Sequence, residues 1–328
     1  ETHAAHATCM TANEVEHDKV CHDVFPNTDV SVELLLRKPK PPEASDCCGN
    51  GCALCVHDIY EQELKIWKKE LLGHGSEGST DGEKGQVLSR DIYTAFELVG
   101  ITAITDKCCQ YTFAIPHRRS LQMNVGDHLI MRASYNGECI TRQYTPISPS
   151  SQRGTFEVLI KIYPNGKMSK YIDSLTEGSL VEWRGPFGEL NYKPNSHKQL
   201  ILLAAGTGIA PMIQILRYIT DNEDDETLVR LLFGVARYDE IYLKKELDDL
   251  RNFWNVSILY CLSQETEVAK VKYGDEVHYG RIDEELLQRE VRKCRFAPHV
   301  LVCGPNSFNA RFLECLRTEL TSTTWFLF

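Results

Sequence analysis

Between residues 86 and 195 the apolar positions come in short runs, YTAFELVGITAIT, QYTFAIP, DHLIMRAS, RQYTPIS, TFEVLIKIY and LVEWRG, with Gly, Pro or Asn between most of them. Apolar runs of strand length, broken by turn formers, predict an antiparallel barrel. One stretch of helical character, SKYIDSL at 169–175, interrupts it. After residue 196 the period changes: LILLAA, TLVRLLFGVA, VSILYCL and HVLVCG read as strands, alternating with APMIQILRYI, IYLKKELDDL, DEELLQREV and SFNARFLECL, which read as helices. Such alternation predicts a parallel sheet covered on both faces. The expected order is a β domain over 86–195 and an α/β domain over 196–328.

Upstream the pattern weakens. Residues 1–40 read as a poorly ordered tail, and the prolines of KPKPPEASD at 38–46 favour an extended stretch. A separate segment at 41–72 combines a run of cysteines with an amphipathic helix, in which Tyr60, Leu64, Trp67 and Leu71 form the apolar stripe. Asp58 and Glu61 have the offset of a capping box at its start. GHGSEGSTDGEKG at 73–85 carries no large apolar residue and reads as a flexible linker.

Composition narrows the function classes. With 42% hydrophobic and 25% charged residues in 328, the chain has material for two buried cores. A net charge of −10 argues against nucleic acid as a main partner, because phosphate binding needs clustered cations. LILLAA is the longest clean apolar run and is far short of the roughly 20 residues that span a bilayer. The sequence begins at Glu1, so membrane association is expected only through a partner or an N-terminal segment upstream. The 13 cysteines are an odd count, and outside one cluster they are dispersed, which fits an intracellular, reducing compartment, cytoplasmic or on the face of a membrane organelle.

Three motifs carry chemistry. AAGTGIAP at 204–211 joins a buried strand to a helix opened by Pro211, and Gly206 and Gly208 allow close approach of a phosphate to free N–H groups. By itself a lone G-x-G reads first as a tight strand-to-helix turn, and Pro211 stands where the usual dinucleotide fingerprint has its third glycine. GKMSKYI at 166–172 places Gly166, Lys167 and Ser169 at a helix start suited to a pyrophosphate, or to a plain N-cap. In TRQYTPIS, Arg142 is suited to pair with phosphate, Tyr144 to present a ring to a planar cofactor, and Thr145 to bond a ring nitrogen. A bare strand alternating Arg142 and Tyr144 against Gln143 and Thr145 is the plain alternative.

R-x-Y-T-x-x-S, G-K-M-S, R-G-P-x-G at 184–188, G-T-G-I-A-P-M and C-G-P at 303–305, in this order and spacing, resemble the NADH-cytochrome b5 reductase family over roughly residues 88–328. Residues 41–72 also resemble the small oxidoreductase-like cysteine segment of the family's cytochrome b5 reductase-like members. The resemblance implies a six-stranded antiparallel flavin-binding barrel followed by a Rossmann-like nicotinamide-nucleotide domain, with FAD and NADH as cofactors. It implies hydride transfer from NADH to the flavin, then single electrons to cytochrome b5 or a similar haem acceptor. Carried over by residue, Arg142, Gln143, Tyr144, Thr145 and Ser148 match the flavin motif, and Lys161 and Tyr163 the next flavin-contacting strand. Gly166, Lys167, Met168 and Ser169 match the pyrophosphate loop; Gly206, Thr207, Gly208 and Pro211 match the nicotinamide-nucleotide loop. Cys303 and Gly304 match the turn beside the nicotinamide, His128 a histidine behind Thr145, and Phe328 the family's terminal aromatic residue near the flavin. Thr145, His128 and Cys303 are the expected catalytic groups. Without the family, Cys303 reads as a small packed hydrophobe.

The departures from the family matter. Asn306, Ser307 and Phe308 follow C-G-P where proline-proline-methionine is usual, and the tail before Phe328 is altered. Ser263 stands where NADH-preferring members carry an aspartate, which admits NADPH, since a carboxylate repels a 2′-phosphate. An NADPH-dependent diaphorase or ferredoxin-reductase-like enzyme and a non-catalytic interaction protein are the rival readings. Lys161, Lys167 and Lys170 form either a basic rim for an acidic partner or a solvated face. Cys47, Cys48, Cys52 and Cys55 are expected to bind no metal, although a metal or cluster, a redox dithiol and partner-binding thiols all stay open for four sulfurs so spaced.

Overall fold

The computed structural model describes residues 32–42, 56–72, 87–266 and 271–328. The barrel is a six-stranded antiparallel sheet: β1 (Thr94–Thr105), β2 (Cys108–Ala114), β3 (His128–Tyr135), β4 (Glu138–Tyr144), β5 (Thr155–Lys161) and β6 (Leu180–Phe187) in the order β4-β3-β6-β1-β2-β5. Its edges meet where Pro146 bridges Val158 and the Ile147 N–H donates to the Glu157 carbonyl at 2.8 Å. RQYTPIS is therefore not a strand from end to end. Pro146 has no N–H to donate, so regular pairing stops at Tyr144 and the strand extends upstream through ECITRQY instead. Inside the barrel, Phe96, Phe113, Phe156 and Trp183 pack edge to face or stacked, with centroids 5.1–5.5 Å apart.

The second domain is an all-parallel sheet of β7 (Gln199–Ala205), β8 (Leu228–Val235), β9 (Val256–Leu262), β10 (Glu276–Tyr279), β11 (His299–Cys303) and β12 (Thr324–Leu327), ordered β10-β9-β8-β7-β11-β12. The helices follow the sequence reading: α3 (Lys167–Asp173) caps the barrel, and α4 (Ile209–Thr220), α5 (Lys244–Leu250), α6 (Glu284–Lys293) and α7 (Asn306–Thr318) cover the sheet. β10 and β12 carry four residues each, too few for a periodicity to register, and both are edge strands. The two domains share one core. Cys108, Ile147 and Leu159 of the barrel are buried in the same cluster as Leu202, Ile213 and Tyr242 of the nucleotide-domain side.

Two expectations for the N-terminal region change. The tail assigned to residues 1–40 is placed from 32 onward as α1 (Val32–Leu36) and an extended stretch, because Leu34 offers its carbonyl to Trp67 Nε1 at 2.7 Å and Lys38 lies over the Trp67 ring. The cysteine-segment helix α2 (Val56–Leu71) begins before the proposed capping box, so Asp58 lies inside its first turn rather than at its cap. Cys47, Cys48, Cys52 and Cys55, and the linker at 73–85, lie outside the described residues.

Candidate functional site

The outer face of β3 and β6 shows how the site is built. Along β3, Leu129, Met131 and Ala133 point into the barrel core, so His128, Ile130 and Arg132 stand on the opposite side. Pairing sets His128 against Phe187, Ile130 against Arg184 and Arg132 against Glu182. An outer barrel face should meet water, yet Arg132 and Arg184 are buried, at 6% and 0% exposure. Helix α2 covers them. Glu63 accepts from Arg184 Nε at 3.0 Å and Nη2 at 2.6 Å and from Tyr93 Oη at 2.8 Å, while two turns on Glu70 accepts from Arg132 at 2.9 Å. The buried stripe of α2 is thus Glu63, Ile66, Trp67 and Leu71, not an all-apolar line through Tyr60 and Leu64.

A cleft of about 2130 Å³ opens between this face and the nucleotide domain. His128, Arg142, Gln143, Thr145, Gly166, Lys167, Cys303, Gly304 and Phe328 all line it, which brings nine of the expected site residues to one wall system. The β3–β4 register ends with Leu129 opposite Tyr144, the chain neighbours of His128 and Thr145. Burial first, and then the Arg184 charge, push the His128 pKa down to about 4, so the ring is neutral at pH 7. Its Nε2 is buried without a partner. Arg142 is exposed and donates to the neighbouring Thr141 carbonyl at 2.6 Å, with no carboxylate partner among the described residues.

The remaining expected residues of the barrel domain do not line the cleft. Tyr144 turns its ring edge-on to Trp183 at 5.9 Å, and burial raises its pKa. Ser148 is buried and accepts from the Glu157 N–H at 3.1 Å. Ser169 is not a helix cap: Gly166 holds that position, and the Ser169 hydroxyl turns back to accept from the Tyr163 N–H at 3.0 Å. That bond closes the loop, and a Cβ on Gly166 would sit 3.0 Å from the Ser169 Oγ, so a side chain there would press on the hydroxyl that makes it. Met168 is core, Lys161 lies over the Tyr163 ring, and Tyr163 is 53% exposed.

The two nucleotide-domain motifs lie at one place for a topological reason. The chain steps outward from β7 through β8, β9 and β10, then returns to place β11 on the other side of β7. Ligands of open parallel sheets bind at such a reversal, beyond the carboxyl ends of its two strands. Gly206, Thr207 and Gly208 form a short 3-10 turn at the end of β7, and Cys303 and Gly304 end β11. The loops touch: a Cβ on Gly208 would lie 2.1 Å from the Cys303 carbonyl oxygen. Pro211 is the third residue of α4 rather than its first, still within the turn whose N–H groups lack helical partners. Burial lifts the Cys303 thiol to about 12, so it borders the cleft as a neutral group.

Sequence reasoning missed the residues that hold these parts together. Gln214 on α4 accepts from the Gly126 N–H at 2.8 Å and donates to the Pro146 carbonyl at 2.6 Å; Arg217, one turn on, pairs with Glu246 and donates to the Ile147 carbonyl. Their signal was present as two polar residues, three apart, in a helix otherwise mostly apolar. Asn309 of α7 also borders the cleft, with a buried Oδ1 that lacks a partner. Phe328 extends β12, its N–H donating to the Val302 carbonyl at 3.0 Å, and its ring is the nearest atom set a side chain on Gly126 would meet.

A dinucleotide flavin fits this arrangement. The cleft has the volume, a neutral histidine and an asparagine each present a buried atom in want of a hydrogen bond, and Arg142 offers a free guanidinium edge.

Comparison with known proteins agrees. The chain matches the oxidoreductase FAD-binding domain over residues 95–192, the oxidoreductase NAD-binding domain over 202–312, and the N-terminal oxidoreductase-like family over 34–73. It is 40% identical over 309 residues to an NADH-cytochrome b5 reductase-like protein of Homo sapiens, covering 92% of this chain and 97% of that one. NADH-cytochrome b5 reductase 1 of Dictyostelium discoideum is 32% identical over 73% of this chain and 83% of its own. Among solved structures, the cytochrome b5 reductase domain of Ulva prolifera nitrate reductase superposes with a TM-score of 0.62 at 26% identity, over 74% of this chain and all of that one. A ferredoxin NADP+ reductase from Neisseria gonorrhoeae, at 16% identity and a TM-score of 0.59, shares the fold. The chain belongs to the NADH-cytochrome b5 reductase family and is an FAD-dependent oxidoreductase that uses NADH.

Proposed function

We propose that the cleft is the reaction site and that electrons leave it for a one-electron haem acceptor such as cytochrome b5. The observation that carries this is the convergence of the barrel motif and the loop after β11, against which Gly208 packs, on one cleft that also holds the unpartnered His128 Nε2. Bound flavin supplies the conversion of a hydride from NADH into single electrons. The chain's own residues bind and orient. Arg142 and Lys167 are suited to a pyrophosphate, Thr145 and neutral His128 to a hydrogen bond and proton position at the flavin edge, and Gly206 to Gly208 to the nucleotide phosphates. Tyr144, Ser148, Ser169 and Tyr163 act one layer back, by fixing the wall that carries these groups.

Arg142→Ala is expected to lower flavin occupancy at least about tenfold, since a charge-assisted pair is worth about 1.5–3 kcal/mol. Flavin per protein by absorbance checks it; full occupancy removes Arg142 from the site. No helix among the described residues is long and apolar enough to cross a membrane. The lysine rim at Lys161, Lys167 and Lys170 is suited to dock an acidic haem acceptor.

NADPH use is a second reading, and one residue favours it. Ser263 follows β9, where its N–H donates to the Val235 carbonyl at 3.0 Å, and it brings no carboxylate to that loop. Ser263→Asp is expected to raise the ratio of NADH to NADPH efficiency by about fivefold or more, because a like charge beside a 2′-phosphate costs on the order of 1 kcal/mol or more even when hydrated. Turnover with both nucleotides measures it, and an unchanged ratio excludes Ser263 as the selector.

A further inference from the structure

Arg184 is fully buried, and its counter-ion comes from outside the barrel. The remaining recorded partners of its guanidinium are neutral: the Arg90 carbonyl at 3.0 Å and Tyr93 Oη at 3.2 Å. The carboxylate that balances it, Glu63, has a side chain 6% exposed and lies 121 residues away in the chain, on the helix of the cysteine segment. Arg184 shares the outer sheet face with His128, one diagonal cross-strand step away, and its guanidinium lies 4.8 Å over Phe187, whose ring is 6.0 Å from that of His128. Glu63, Phe187 and His128 all border the cleft. A buried charge is weakly screened, so whatever balances Arg184 also sets the potential in the cleft.

We infer that Glu63 of the N-terminal segment is a positioning residue for the flavin reaction: by neutralising Arg184 behind His128 it sets the electrostatic potential at the flavin, and thus the flavin's reduction potential. This rests on the flavin occupying the cleft. The N-terminal segment is then part of the redox site rather than an appended module. Diagonal cross-strand neighbours are about 7–8 Å apart, and at that range, through an effective dielectric of ~20, one unit charge moves a redox equilibrium by about tenfold or more.

The test is a redox titration of the full chain against a reference dye, in wild type, Glu63→Gln and Glu63→Gln/Arg184→Met. Glutamine keeps an acceptor for Arg184 and Tyr93 but removes the charge. At fixed ambient potential, Glu63→Gln is expected to raise the ratio of reduced to oxidised flavin about tenfold, or ~30 mV for a two-electron couple. The double variant, with neither charge, is expected to return to within about twofold of wild type, because removing both members of the pair leaves the net charge beside the cleft as it was. A purely structural role would lower flavin content or melting temperature and leave the potential of the bound flavin in place. A Glu63→Gln protein that binds flavin at the wild-type potential overturns the inference. So does a double variant displaced tenfold, which keeps the test decisive where the single variant fails to fold. A wild-type protein that takes up no flavin overturns the site itself, whereas a yellow wild type with unshifted variants overturns the inference alone.

Discussion

Gly208→Ala is expected to weaken NADH binding by about ten- to hundredfold while leaving flavin content unchanged. The added Cβ would lie 2.1 Å from the Cys303 carbonyl oxygen and 2.6 Å from its carbon, and both contacts are backbone, so no side chain can swing aside. The loops after β7 and β11 must part, at the place where the sheet's topology opens the nucleotide crevice. Overpacking of this kind costs about 1–3 kcal/mol, and each 1.4 kcal/mol is about tenfold in affinity. The flavin wall is built by β3, β4 and the Gly166 loop on the other domain, so its occupancy should not follow. Rapid-reaction reduction at varied NADH gives the dissociation constant, and absorbance gives the flavin content. An unchanged dissociation constant would mean that the nucleotide does not depend on this crossing.

Arg184→Met is expected to destabilise the fold by about 3–5 kcal/mol, because it leaves the buried Glu63 carboxylate with Tyr93 as its one remaining donor. Against a typical total of about 5–15 kcal/mol this is a large fraction. The effect reaches beyond α2. Tyr93 lies between the guanidinium groups of Arg184 and Arg132, at 5.5 Å and 4.0 Å from its ring, so the whole β3–β6 outer face loses its order of charges. Replacing both partners, as in Glu63→Leu/Arg184→Met, should recover most of the loss, since an apolar pair avoids burying either charge. Denaturant unfolding of the two singles and the double gives the coupling directly. A loss below about 1 kcal/mol for Arg184→Met would show that the pair is hydrated and that α2 is not anchored there.

The two architectures were legible because each has its own period. Leu129, Met131 and Ala133 alternate in β3, whereas α4 presents apolar residues on nearly every side because it is buried against both the sheet and the barrel. The strand boundary at Tyr144 was less legible: RQYTPIS looks like a strand in composition, but the missing N–H of Pro146 turns its second half into the seam that closes the barrel. Of the candidate site, motif residues with fixed spacing at strand ends and turns, such as Arg142, Gly166 and Cys303, could be singled out, and they line the cleft. The residues that orient them could not. Glu63 and Arg184 meet across 121 positions, and a glutamate on a predicted amphipathic helix reads as solvated until the outer barrel face is known to carry a buried arginine. Gln214 is similar, since only the tertiary fold brings Gly126 and Pro146 to its two ends.

We propose, then, that one cleft, walled by the N-terminal helix, the barrel and the loop after β11, carries electrons from NADH through FAD. Anaerobic titration of the purified, FAD-reconstituted chain with NADH tests this most directly. The prediction is stoichiometric bleaching of the flavin band at one NADH per flavin, followed by reoxidation on adding two equivalents of a one-electron haem acceptor. A protein that binds no flavin, or a yellow protein whose absorbance is indifferent to NADH, would contradict it.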